Sequence, residues 1–377
     1  MHEKLILVHS NFQTPFFLDY TLKLKIFDDY AVLESLNRYF LKKKICSKIA
    51  SAGDLLFLDI DCNVEDIEEV IQMKRGPAGR LSGELEQIWH NYRTVRRELH
   101  IPRGKLILRT GFPLLMGILN ITPDSFYDGG RFFDKDRAIE HAFQLQEEGA
   151  DIIDIGGQST RPGSTQISAE EEIDRVIPVL MNLKGKLRIP VSIDTYYAKV
   201  ARIALENGAE LINDNSALTM DKEEMLKVVT DFNVPVVLMH YHKTLQPMQT
   251  EPEYKDVLYE IACWLKERAH VLTSNKIAAQ RIILDPGIGF GKLLENNVEI
   301  FYKLDALRSL GFPILVGPSR KSFIGAINKE LSPQDRLSGT IASCIVSLLK
   351  GAMIIRVHDV KKIKDALEVV SAILSGT

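Results

Sequence analysis

From residue 114 onward, short uninterrupted apolar runs alternate with longer stretches whose apolar residues recur at helical spacing. The runs are Leu114–Asn120, Asp151–Gly156, Ile189–Asp194, Leu211–Asp214, Pro235–His240, Arg281–Asp285, Pro313–Gly317 and Met353–Arg356. A helical pattern follows each of them, as at Asp136–Gly149 and Ala169–Leu183. Continuous apolarity, rather than strict alternation, marks parallel strands covered on both faces. Parallel neighbours need a crossover, usually a helix. Eight such units in about 260 residues predict a (β/α)8 TIM barrel. A doubly wound open sheet is the competing arrangement.

The first 104 residues follow another rhythm. Thr21–Ile26 (TLKLKI) alternates and predicts a half-exposed strand, whereas Tyr30–Ile49 predicts a helix with Val32, Leu36, Tyr39 and Phe40 on one side. Leu55–Ile60 reads as a strand, and Val64–Met73 and Leu81–Leu99 read as helices on either side of Gly76–Gly79. His100–Gly104 (HIPRG) reads as a hinge, because Pro and Gly end the preceding helix. The expected organisation is therefore a small α/β domain, 1–104, without an interpretable motif, followed by the barrel, 105–377. Lys105–Arg109 is expected to be a strand that plugs the barrel floor.

Composition narrows the class. With 45% apolar residues, 26% charged residues and a net charge of −3 over 377 residues, the chain suits a soluble globular protein and not a disordered one. Near-neutral charge gives no basic face for nucleic acid. No stretch approaches the roughly 20 apolar residues that span a bilayer, and the N-terminus lacks a signal or transit pattern. Cys46, Cys62, Cys263 and Cys344 are far apart, with no C-x-x-C pair. They are expected to be reduced, mostly buried thiols in a cytoplasmic protein.

In such a barrel the chemistry gathers at the C-terminal ends of the strands. Those ends deliver Asn120, Asp154, Asp194, the Asn213-Asp214-Asn215 run, Asp285, the loop Gly317–Ser322 and Arg356–Asp359. Any one of these could be a helix cap or a turn. Seven together, with basic side chains in two of them (Arg320 and Lys321; Arg356 and His358) and Arg161 in the loop after a third, are hard to explain as capping. Arg161, Lys321, Arg356 and His358 are donors of the sort that grip phosphate. Asp194, Asn213 and Asp285 suit a heterocycle rich in N–H donors. The bland readings are an ion pair between Lys321 and Asp285, a loop cap at Arg356, and a solvent-facing Arg320.

The loops Thr122–Arg131 and Ser159–Ser164 are longer than a strand-to-helix connection needs and read as elements that close over a substrate. Asp285–Lys292 (DPGIGFGK) resembles a phosphate loop but does not match G-x-x-x-x-G-K-[ST]. His240 and His242 lack a partner at ligand spacing and read as packing or loop residues, not zinc ligands.

Residues 115–132 (LMGILNITPDSFYDGGRF) and 151–164 (DIIDIGGQSTRPGS) closely resemble the two signatures of the dihydropteroate synthase family. Ser192–Thr195, Ile212–Leu218, Leu284–Lys292, Gly317–Gly325 and Arg356–Val360 match the rest of its pattern in the same order. The resemblance covers about residues 105–377. It implies a (β/α)8 barrel and a transferase of folate biosynthesis. That enzyme joins p-aminobenzoate to 6-hydroxymethyl-7,8-dihydropterin diphosphate and releases diphosphate. It implies that Asp194, Asn213, Asp285 and Lys321 hold the pterin, with Arg356 beside it. Asn120 would help coordinate Mg²⁺ on the diphosphate, and Arg161, Arg356 and His358 would grip its oxygens. Thr160, Arg161, Pro162, Phe290 and Ser322 would surround p-aminobenzoate. Asp194, Asp285, Lys321 and Arg356 would carry the catalysis, with no Ser or Cys nucleophile. A cytoplasmic homodimer is the expected form.

The chain departs from the family pattern in three places. Asn215 stands where a small apolar residue is usual. The fifth loop, MHYHKTLQPMQ (239–249), lacks the usual Gly-Thr-Pro run, and the first 104 residues match nothing in the family. Two alternatives are a pterin-binding, corrinoid-dependent methyltransferase and a non-catalytic pterin-binding scaffold.

Overall fold

The computed structural model describes residues 5–10, 22–73, 79, 81–94, 96–122, 135–158, 166–241, 254–328 and 331–376. Strands β1 (Leu5–Ser10), β2 (Leu22–Phe27), β3 (Cys46–Ala52) and β4 (Leu55–Cys62) form an antiparallel sheet in the order β1-β2-β4-β3. Helices α1 (Tyr30–Lys42), α2 (Val64–Gln72) and α3 (Ser82–Arg93) cover one face, where Leu22, Leu24 and Ile26 meet Leu36, Val70 and Trp89. Asn63 starts α2 with a reciprocal cap. Its Oδ1 accepts the Asp66 N–H and Asp66 accepts the Asn63 N–H.

Three expectations for this region are corrected. The first helix ends at Lys42, not Ile49, because the Lys42-Lys43-Lys44 run offers no apolar stripe and Lys44 turns the chain with a positive φ of 63°. The helix expected over Leu81–Leu99 stops at Arg93. Beyond it, β5 (Arg96–Ile101) pairs antiparallel with β6 (Gly104–Arg109), so HIPRG is a hairpin turn and not a hinge. Leu99, Ile101 and Leu108 share one face of that hairpin, a two-residue period that a helix cannot use.

The barrel strands are β7 (Leu114–Asn120), β8 (Ile152–Gly156), β9 (Val191–Asp194), β10 (Leu211–Asp214), β11 (Val236–Met239), β12 (Ile282–Asp285), β13 (Leu315–Val316) and β14 (Ile354–Val357). All pairs are parallel, in the order β12-β11-β10-β9-β8-β7-β14-β13. The ring closes between β12 and β13 through a parallel bridge at Leu284 and Ile314. The outer layer comprises α4 (Lys135–Glu147), α5 (Ala169–Leu183), α6 (Ala198–Glu206), α7 (Lys222–Phe232), α8 (Val257–Ser274), α9 (Leu294–Tyr302), α10 (Ser322–Ile327), α11 (Leu337–Leu349) and α12 (Val360–Ser375).

Alternation along each strand sorts the residues. Ile153 and Ile155 of β8 face the helices, whereas Ile152, Asp154 and Gly156 face the axis. At the floor, Met116, Ile152, Leu211, Val237, Ile283, Leu315 and Ile354 meet the hairpin residues Leu99, Ile101 and Leu108. The hairpin therefore plugs the barrel as expected for Lys105–Arg109, and it straddles the division placed at residue 104. One step above the floor the inward positions turn polar.

The second face of the N-terminal sheet is covered at one end and open at the other, where Lys23, Asp61, Cys46 and Lys48 lie, so the half-exposed reading of TLKLKI holds for part of its length. Leu5, Leu7, Phe27, Leu55 and Phe57 merge with the barrel core, and the Phe27 ring lies 4.0 Å from that of Tyr259. The Val8 N–H donates to Ser309 Oγ (3.2 Å), Asn91 Nδ2 to the Ser309 carbonyl (3.1 Å) and the Tyr92 hydroxyl to Asp305 (2.9 Å). Among the described residues, no helix is long and apolar enough to cross a membrane.

Candidate active site

The inward polar layer converges on one guanidinium. Arg356, on β14, donates from Nε to Asp154 Oδ2 (2.6 Å) and from Nη2 to Asp194 Oδ2 (2.7 Å). Asn213 Nδ2 donates to the same Asp154 oxygen at 2.9 Å. β8, β9, β10 and β14 thus place four side chains in one network above the apolar floor. Arg356 is not a loop cap.

Burial sets the electrostatics. It pushes the Asp194 carboxyl up to about 7, with Arg356 opposing the shift and Asp154 adding to it. Burial likewise raises Asp285 to about 6, against the pull of the Gly287 N–H and the Lys321 charge. It lowers the Lys321 ammonium to about 8, with Arg356 acting in the same direction. Two buried atoms of this layer, Asp154 Oδ1 and Ser192 Oγ, have no hydrogen-bond partner among the described residues. They lie on adjacent strands in register. A ligand with paired donors and acceptors would satisfy both.

Loop geometry places the remaining candidates. Asp285 Oδ1 accepts the Gly287 N–H at 2.7 Å. Gly287 has φ 69°, and a Cβ there would stand 2.0 Å from the His240 carbonyl, so only glycine fits. Lys292 differs from a phosphate-loop lysine. It turns inward, with Nζ donating to the Gly287 (2.9 Å), Phe290 (3.0 Å) and His240 (3.3 Å) carbonyls. His240 Nδ1 lies 3.1 Å away, and its ring packs edge-on against Trp264. His242 lies outside the described residues.

Lys321 stands at the residue before α10 and holds its ammonium 3.7 Å from the Phe290 ring centroid, so these two candidates come together. Ser322 follows, exposed at the start of α10. Arg320 does not simply face solvent. In a left-handed conformation (φ 57°), it makes a bidentate pair with Asp359 at 2.9 and 2.7 Å, which locks the loop that presents Lys321. His358 is oriented by Ser319, whose Oγ accepts the His358 N–H (3.2 Å) and lies 2.9 Å from Nδ1.

Asn120 ends β7, opposite Gly156. No group of three or more His, Cys, Asp or Glu side chains among the described residues could hold a metal. One amide oxygen plus phosphate oxygens is nonetheless a donor set that suits Mg²⁺, which keeps few protein ligands. Thr160, Arg161 and Pro162 lie outside the described residues, as do the loop Ser159–Ser164 and residues 123–131 of the first loop.

Sequence reasoning missed several supports. Asp154 was legible as a polar residue inside an apolar strand, but its partners were not. Asp214 accepts the Ser216 and Leu218 N–H groups, both at 2.8 Å, and so shapes its turn. Asn215, the family departure, reaches Asp194 Oδ1 with Nδ2 at 3.4 Å. Glu172, in the first turn of α5, is buried and accepts from Thr195 Oγ1 at 3.0 Å. Burial raises its carboxyl to about 7. The sign follows: with the folded value above the unfolded one, stability is full below about pH 4.5 and declines as pH rises through about 7. Glu172→Gln is expected to lose about 2.5 kcal/mol less than the wild type between pH 5 and pH 8, measured by urea unfolding.

The family profile described as "Pterin binding enzyme" matches residues 116–358. The dihydropteroate synthase of Synechocystis sp. is 45% identical over 259 residues, covering 69% of this chain and 89% of that protein. The solved Xanthomonas albilineans dihydropteroate synthase with 4-aminobenzoic acid is 42% identical, with a TM-score of 0.66, and covers 71% of this chain and 95% of that one. The same bacterium's enzyme in complex with 7,8-dihydropteroate is 40% identical, with a TM-score of 0.64 and the same coverage. The methyltransferase reading finds no support in these relatives, and neither does a non-catalytic scaffold. The profile match, the identities and the shared barrel agree, and the chain belongs to the dihydropteroate synthase family of pterin-binding transferases.

Proposed function

We propose that the chain condenses 6-hydroxymethyl-7,8-dihydropterin diphosphate with p-aminobenzoate to give 7,8-dihydropteroate and diphosphate. One observation supports this most: a ring of buried acceptors and cations above a closed apolar floor, with Arg356 held between Asp154 and Asp194. The apolar floor limits depth, so a flat heterocycle rests on it and presents its edge to Asp194, Asn213 and Asp285. Lys321 would hold the carbonyl side of the ring.

The bond from the pterin CH₂ to the diphosphate oxygen breaks with its electron pair leaving on the diphosphate, the amine nitrogen's lone pair bonds that carbon, and the nitrogen gives up one proton to water. Asp194 and Asp285 would favour cationic character on the pterin as the diphosphate departs. Arg356, His358 and Arg161 would hold the diphosphate oxygens, and Asn120 would hold Mg²⁺ against them. Mg²⁺, when bound, supplies neutralisation of the departing charge. Phe290, Ser322, Thr160 and Pro162, with Arg161, would surround the aromatic amine, a competent nucleophile without a strong base. A homodimer and a cytoplasmic location belong to the same proposal. The latter accords with four cysteines joined by no disulfide, of which Cys62 and Cys344 are buried, Cys263 half-buried and Cys46 exposed.

The test is diphosphate release by the purified full chain. It is expected only when Mg²⁺, the pterin diphosphate and p-aminobenzoate are all supplied. Absence of pteroate under those conditions would end the reading.

A further inference from the structure

The N-terminal domain meets the barrel where the fifth strand's helix begins. Lys25, on β2, pairs with Asp256, and both side chains are largely buried, at 13% and 7% exposure. The ammonium also sits 3.8 Å from the centroid of the Phe57 ring. Asp256 is the N-cap of α8, its Oδ1 accepting the Tyr259 N–H at 2.9 Å. Tyr259 in turn packs on Phe27 of the same β2 strand. A second pair joins Asp54 to Lys255. The entry to one helix, from Lys255 to Tyr259, thus takes two ion pairs and an aromatic contact from the extension.

That turn also reaches the candidate active site. Tyr254, two residues before the cap, donates its hydroxyl to the Gly291 carbonyl at 3.3 Å. Gly291 lies between Phe290, whose ring faces Lys321, and Lys292, which gathers the loop's carbonyls. Trp264, farther along α8, packs against His240, the other partner of Lys292. The loop carries positive φ at Gly287, Gly289 and Gly291 (69°, 77° and 57°). With three glycines it has little intrinsic stiffness, so its shape depends on outside contacts.

We infer that the N-terminal domain is a buttress for the sixth strand's loop, and that Lys25 is a positioning residue acting through Asp256 and Tyr254 on Phe290. The inference rests on the proposed function for its kinetic readout. Lys25→Met keeps the aliphatic stem over Phe57 and removes the charge. It is expected to raise KM for p-aminobenzoate about tenfold, because small displacements of substrate-positioning groups cost that much. The kcat and the KM for the pterin diphosphate stay within twofold. Tyr254→Phe should shift the same constant, and the double variant should be no worse than the more affected single one, since both act along one route.

Lys25→Met removes the ion-pair partner of Asp256, leaving only the charge of Lys303 acting on it, and could unfold the domain junction. Lys25→Met/Asp256→Asn removes both charges, keeps the cap acceptor, and is expected to show the same rise in KM. Amide exchange at Phe290–Lys292 gives a reading independent of turnover, with faster exchange expected in both charge variants. Should the wild type form no pteroate, the functional reading falls and exchange alone decides the buttress. A lower Tm with unchanged KM and unchanged exchange would overturn it, leaving Lys25 a purely structural residue.

Discussion

Replacing Arg356 by methionine is expected to lower pteroate formation about a thousandfold, the scale of losing a cation that stabilises a departing phosphate charge. The same variant is expected to acquire a new pH dependence of stability. Arg356 is the shared partner of Asp154 and Asp194, at 2.6 and 2.7 Å. Methionine leaves two buried carboxylates facing each other in one chamber. Breaking a buried pair in this way costs about 3–5 kcal/mol. Burial already lifts the Asp194 carboxyl to about 7 while Arg356 pulls it down, so losing Arg356 lifts it further. A folded value above the unfolded one leaves stability intact below about pH 4 and erodes it as pH rises. Urea unfolding should therefore show a small deficit for Arg356→Met at pH 5 and most of the cost at pH 8. Equal deficits at the two pH values would contradict the coupling of Asp194 to this cation.

Asp285→Asn is expected to weaken binding of the pterin diphosphate about 100-fold, or about 3 kcal/mol, the cost of replacing charge-assisted bonds to ring donors. The fold should survive. The asparagine Oδ1 can still accept the Gly287 N–H that the carboxylate takes at 2.7 Å. The wild type should add a pH signature. Burial holds its Asp285 carboxyl at about 6, so acidification below that value protonates the acceptor and weakens binding. Titration calorimetry at pH 5 and pH 7.5 should find a strong difference in the wild type and a much smaller one in Asp285→Asn. Near-wild-type affinity in the variant would mean that another acceptor holds the ring edge.

Both predictions turn on burial. Asp194, Asp285 and Lys321 are all shifted toward neutrality by it. A ligand that supplies donors to the acids and an acceptor to the lysine would relieve these costs together, so the fold keeps them as a capacity to bind.

Much was determined by sequence alone. Eight apolar runs separated by helical stretches specify the barrel, because a strand covered on both faces has no position where a polar side chain is tolerated except near its end. For the same reason Asn120, Asp154, Asp194, Asn213, Asp285 and Arg356 stood out, and the motif order named the family. Tertiary structure decided which of them touch. Arg356 and Asp154 are 202 residues apart in the chain, and only ring closure by β14 beside β7 and β8 brings them together. It also decided the unexpected pieces: a hairpin where a helix and hinge were expected, and an inward-turned Lys292. The Lys25–Asp256 pair spans 231 residues. Local patterns reflect which face of an element is covered, not what covers it. The alternation of TLKLKI was therefore readable, but the barrel helix lying on its second face was not.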